Sequence, residues 1–126
     1  MSHITKLQTQ MTDLDCIKEA LQENNFNFSE GGVAKAYGSR TIKGDLVVNN
    51  GRAYDIAFVK QNNGTYSVEA DWYSGGPTRQ QFIKQITQSY AVAKTLKAVK
   101  KNPKLRVIKQ EKLANGTRRI RVGVMG

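Results

Sequence analysis

The sequence predicts an α+β fold: a two-layer domain with a mainly antiparallel sheet and two helices laid on one face. Two observations carry that expectation. Asn-Gly pairs at Asn50-Gly51, Asn63-Gly64 and Asn115-Gly116 separate apolar stretches of strand character, and Asn-Gly is the strongest short-range hairpin signal. Only two stretches carry helical periodicity, so hairpins dominate over crossovers. The chain has 126 residues, 39% of them hydrophobic and 24% charged, enough for one core, and residues 1–126 read as a single domain. The predicted order is β-α-β-β-β-β-α-β-β, with no repeat, low-complexity segment or interior linker.

Residues 3–10 read as an opening strand, although Ile4 and Leu7 do not share one alternating face. A helix follows, capped by Thr12 or Asp13, with Asp13 and Asp15 placed where acidic groups suit the helix dipole. Leu14, Ile17 and Leu21 then fall on one helical face. Phe26 and Phe28 alternate as a short strand that Gly31-Gly32 ends. Strands at 46–48 and 54–59 flank Asn49-Asn50-Gly51, and the second of them joins a strand at 66–72 through Asn62-Asn63-Gly64. With Gly64 at positive φ, the register sets Phe58 opposite Val68, Ile56 opposite Ala70 and Tyr54 opposite Trp72. Asp55, Glu69 and Asp71 then share the other face.

Thr78 and Gln81 match a capping box that opens the second helix after the loop 73–77. Phe82, Ile83, Ile86, Tyr90, Val92, Ala93, Leu96 and Val99 form a wide apolar arc on it, and Pro103 stops it. A last hairpin, 105–112 and 117–125, turns at Asn115-Gly116. Its alternation predicts Ile120, Val122 and Val124 inward, with Arg106, Lys112, Arg119 and Arg121 outward.

Charge is the feature that bears on function. Residues 79–126 carry thirteen Lys and Arg against one carboxylate, Glu111, a formal charge of +12; residues 1–78 carry seven basic and nine acidic side chains, a charge of −2. Such asymmetry favours a polyanionic or acidic partner. The candidate polyanion-binding residues are Lys97, Lys100, Lys101, Lys104, Arg106, Lys112, Arg119 and Arg121, because phosphates reward such an array through counterion release and arginine forks fit them. The competing reading is a plain solvated surface, but a solvated face ordinarily mixes charge signs and this one does not. The expected partner is thus nucleic acid or an acidic protein surface, although no zinc finger, helix-turn-helix or RNP-type motif is present.

A second candidate is a protein-contact patch of Tyr37, Arg40, Trp72 and Tyr73, serving an assembly or regulatory adaptor. A third is a carboxylate cluster of Asp45, Asp55 and Asp71, able in principle to hold Mg²⁺ for phosphodiester chemistry. Nuclease-like sites usually add a lysine two residues beyond a carboxylate, and Ala57 and Tyr73 stand there instead. Solvent-facing charge, or an internal partner for the basic hairpin, is the favoured reading of these acids. His3, the one histidine, sits where a chain end frays, and the glycine pairs lack the spacing of a phosphate loop. The expectation is therefore a non-enzyme without cofactor or bound metal. Cys16, the one cysteine, reads as a buried reduced thiol. The start lacks a secretory pattern and no apolar run reaches the roughly 20 residues of a spanning helix. No membrane insertion is expected, and the expected location is cytoplasm, plastid stroma or, for a phage protein, the host cytoplasm.

Several segments in order resemble a known family. They are Ser2-His3-Ile4-Thr5-Lys6, Ala20-Leu21, Tyr37-Gly38, Asp45-Leu46-Val47-Val48, Tyr54-Asp55-Ile56-Ala57-Phe58, Ala70-Asp71-Trp72 and Gln88-Ser89-Tyr90-Ala91. The ordered set, spanning residues 2 to about 122, resembles the hypothetical chloroplast open reading frame 35 family, a domain of unknown function in plastids, cyanobacteria and some of their phages. The resemblance implies a photosynthetic lineage and supplies no catalytic residues. Similar proteins commonly have a more acidic ending, whereas residues 104–121 here are basic, which suits a specialised member such as one carried by a phage.

Overall fold

The computed structural model describes residues 4–49, 54–72 and 78–125. Its centre is a five-stranded antiparallel sheet. Strands β1 (Ile4–Gln8), β2 (Asn27–Glu30), β5 (Leu46–Asn49), β6 (Ile56–Lys60) and β7 (Tyr66–Asp71) lie in the order β1-β7-β6-β5-β2. The helices α1 (Leu14–Glu23) and α2 (Arg79–Lys101) pack on one face of it. The α+β architecture, the antiparallel sheet and the one-sided helices are as the sequence predicts.

Local chemistry sets the boundaries. Asp13 caps α1 by accepting from the Cys16 N–H at 3.2 Å. A Schellman closure ends this helix: Phe26 N–H donates to Leu21 O and Asn25 N–H to Gln22 O, with Asn25 at φ 61°. The expected capping box opens α2, Thr78 and Gln81 satisfying each other's backbone N–H groups. In the β6–β7 turn, Gly64 has φ 88° and Asn63 Oδ1 accepts from Thr65 N–H, which fixes the register Ile56↔Ala70 and Phe58↔Val68. The Tyr54–Trp72 pair lies just beyond the ends of that ladder.

One face of the sheet offers Leu46, Val48, Ile56, Phe58, Val68 and Ala70 to Ile17, Ala20 and Leu21 of α1 and to Phe82 and Ile86 of α2. Phe82 is fully buried and meets the rings of Phe26, Phe58 and Trp72 at centroid distances of 5.2, 6.1 and 5.8 Å.

The opposite face is covered too, by two strands the sequence did not announce. β3 (Val33–Lys35) and β4 (Thr41–Lys43) form a small antiparallel hairpin. Its Ala34 and Ile42 pack on Val47 and Ala57 of the sheet's second face, with Ile4 and Val59 beside them. Each strand has three residues, with polar ends at Lys35, Thr41 and Lys43, too short for a period-2 signal. Gly44 admits the close approach where the hairpin returns to the sheet: a Cβ there would lie 2.9 Å from Leu46 O and 3.0 Å from Ala57 Cβ. Two-sided burial also accounts for β1. Leu7 pairs with Val68, whose face carries the helices, while Ile4 packs on the hairpin's side.

Candidate functional site: the C-terminal ribbon

The last hairpin stands apart from the sheet. β8 (Leu105–Lys112) and β9 (Arg118–Val124) pair only with each other and rest on α2. Their turn repeats the chemistry of the β6–β7 turn. Gly116 has φ 88°, Leu113 N–H donates to Thr117 O, and Asn115 Oδ1 accepts from Thr117 N–H. The tip is fastened to the body where Gln88 Nε2 donates to Gly116 O at 2.7 Å and Arg118 pairs with Glu23. At the other end Met125 N–H donates to Lys104 O at 2.6 Å.

A bulge between Val107 and Lys109 decides which side chains share a face. Before it, Leu105 and Val107 oppose Val124 and Val122; after it, Gln110 and Lys112 oppose Ile120 and Arg118. These residues form the inner face. The outer face collects Arg106, Lys109, Glu111, Arg119 and Arg121. Ile108, at the bulge, lies over Gly123, where an added Cβ would sit 2.5 Å from its Cδ1. Glu111 is 3.7 Å from both Lys109 Nζ and Arg119 Nη1, so two cations bracket the one carboxylate of this face.

The predicted residues divide accordingly. Arg106, Arg119 and Arg121 do come together on an exposed face. Lys100, Lys101 and Lys104 are exposed around the end of α2 and the start of the ribbon, without an ion pair among the described residues. Lys112 does not join them. Strict alternation from Arg106 would put it on the same face, but the bulge shifts the parity by one and turns it inward with Arg118. There it lines an open groove of about 900 Å³ between α2 and the ribbon tip, with Gln81, Gln85 and Gln88. The same shift brings in Lys109, which alternation missed; Gly123 inside a strand was the available signal for a bulge.

Lys97 is also withdrawn. It donates to Asp13 Oδ2 at 2.5 Å, and Lys94 lies 3.8 Å from the same oxygen. The Lys97 ammonium holds the Asp13 carboxyl down at about 2, below its ordinary 3.8, and Asp13 in turn raises the lysine. Cys16 beside them is buried, as expected, and burial pushes its thiol up.

Another expectation needs correction. Val122 and Val124 do not face a core: they are 36% and 75% exposed, and Ile120 is only half-buried. Among the described residues the ribbon adds to no larger sheet, so its inner face has mainly α2 to rest on.

The carboxylates of the middle strands hold the fold together. Asp55 Oδ2 accepts from Lys35 N–H at 2.9 Å, while Asp55 N–H donates to Lys35 O. Asp71 Oδ2 accepts from Tyr37 N–H at 3.3 Å, and both acids are buried. Asp45 Oδ2 accepts from Lys60 N–H, and Glu69 from the Ser67 hydroxyl. Among the described residues no group of three metal-capable side chains forms. Asp55 and Asp71 are therefore neither solvent-facing nor partners of the basic hairpin, the two roles expected of them: Asp55 pins β3 to the sheet and Asp71 holds the turn that follows it.

The aromatic patch is divided. Tyr37, 53% exposed, and the exposed Arg40 lie at the turn of the β3–β4 hairpin, on one side of the sheet. Trp72 is half-buried against Phe82 on the helix side. Tyr73 lies outside the described residues, as do His3, Asn50-Gly51 and Gly75-Gly76-Pro77. No described helix is long and apolar enough to cross a membrane.

A five-stranded α+β body bearing a basic ribbon defines a class by architecture, not by a reaction. The chain belongs to the family described as Protein of unknown function (DUF1257), whose model matches residues 20–121. It is similar to two proteins named Uncharacterized protein ycf35. The one from Guillardia theta is 29% identical over 100 residues, covering 77% of each chain. The one from Cyanophora paradoxa is 30% identical over 95 residues, covering 72% of this chain and 73% of the relative. The family is thus an uncharacterised one found in plastid lineages, in agreement with the resemblance noted above. No solved structure matches the chain.

Proposed function

We propose that the chain is a non-enzymatic binding protein that docks a polyanion on the outer face of its C-terminal ribbon. One observation carries this reading: Arg106, Lys109, Arg119 and Arg121 share an exposed face with a single carboxylate. Lys100, Lys101 and Lys104 extend the positive field around its base. Three of the four cations on the face are arginines, whose planar forks bind phosphate or carboxylate through paired hydrogen bonds. The adaptor reading has less support, because Tyr37 and Trp72 lie on opposite sides of the sheet.

The test is retention on a polyanion such as heparin or nucleic acid as salt is raised. Binding should weaken steeply with salt, and Arg119→Glu with Arg121→Glu should weaken it further at every salt concentration, since two cations of the face become anions. Both side chains are exposed, so the double variant should keep the wild-type circular dichroism. Retention by the folded wild type that ignores salt would overturn the reading.

A further inference from the structure

We infer that the polyanion is duplex DNA, and that the β8–β9 ribbon enters its major groove. This inference rests on the polyanion reading and narrows it. The first ground is shape. A B-form major groove is about 12 Å wide and admits a two-stranded ribbon. Here the ribbon belongs to no larger sheet, and its outer face is directed away from α2. Its tip is tied down by Gln88 and by the Arg118–Glu23 pair, and its base by the Met125–Lys104 bond, so it is offered already ordered.

Composition is the second ground. Phosphate attraction alone would call for cations only, yet the outer face also holds Glu111, fixed between Lys109 and Arg119, and Ile108, 54% exposed. Together these match what base edges offer in that groove: guanine accepts from an arginine fork, cytosine donates to a carboxylate, and thymine presents a methyl group. Lys100, Lys101 and Lys104 at the base are placed for backbone phosphates.

The same residues disfavour the rival polyanions. Single strands are gripped by stacking on aromatic rings, and this face carries none. Double-stranded RNA has a major groove too deep and narrow for side chains to read. An acidic protein surface would want aromatic or apolar anchors at the centre of the contact, where the strands of this face offer Ile108 and no aromatic ring.

Fluorescence anisotropy of the full chain, at low salt, with matched DNA duplex, RNA duplex and single strand tests the inference. Duplex DNA should bind about tenfold tighter or better than the other two. A DNA duplex whose pyrimidines carry bulky C5 substituents, which project into the major groove, should lose that advantage. Glu111→Gln should raise affinity for mixed-sequence duplex while flattening differences between duplexes of different sequence. Equal binding to all three nucleic acids, or indifference to the C5 substituents, overturns the major-groove inference and leaves polyanion docking intact. Binding to polyglutamate and to no nucleic acid does the same. Failure to bind any of these probes overturns both.

Discussion

The body of the molecule and its ribbon handle charge in opposite ways. In residues 4–72 the acids of the middle strands act inward: Asp55 and Asp71 are buried and accept backbone N–H groups of the β3–β4 hairpin. Both faces of that sheet are covered, one by helices and the other by the hairpin. In the ribbon one face rests on a single helix, and the arginines of the other point to solvent. The chain's net charge is therefore concentrated where the core is thinnest. A charge that holds backbone in place is fixed by the fold; one that holds nothing in place is free to meet a partner.

The sharpest way to break that contrast is to attack the body at its centre. Phe82→Ala removes the ring that meets Phe26, Phe58 and Trp72, and should cost about 4 kcal/mol, read by urea denaturation. A loss below about 1 kcal/mol would mean that the two helices and the sheet do not share one core. Next in size is Asp55→Ala. It strands the Lys35 N–H beneath the hairpin and should cost about 2 kcal/mol, with faster amide exchange confined to β3 and β4. Unchanged exchange there would show that the small apolar contacts of Ala34 and Ile42 suffice to hold the hairpin.

How much of this was legible in the sequence follows the range of the forces involved. Local signals read well: the capping box of Thr78 and Gln81, the Asn-Gly turns at Gly64 and Gly116, and the register that the first of these turns imposes. Contacts made across the sheet did not. β3 and β4 are too short for periodicity, and what holds them comes from Asp55, Asp71, Val47 and Ala57, all remote in the chain. The candidate site was half legible. Arg106, Arg119 and Arg121 fall together as alternation predicts, but one bulged residue moves Lys112 off that face and Lys109 onto it. Lys97 failed for a related reason: its partner Asp13 caps the other helix, 84 positions away in the chain.

That ion pair ties α1 to α2 inside the body and supplies the smallest of these effects. The folded Asp13 carboxyl is held at about 2, below its ordinary 3.8, so its contribution is fully present above about pH 4 and is lost as pH falls toward 2. Lys97 is partly open to solvent, which screens the interaction, so about 1 kcal/mol is expected rather than the full linkage value. Asp13→Asn keeps a good helix cap while removing the charge. Urea midpoints measured from about pH 5 to about pH 2 should show wild type losing more stability than this variant by that amount. Parallel pH profiles would mean that the pair adds nothing, and that α2 is held to α1 by packing and by the hydrogen bonds that Tyr90 and Ser89 accept from Thr12, Asp13 and Asn24.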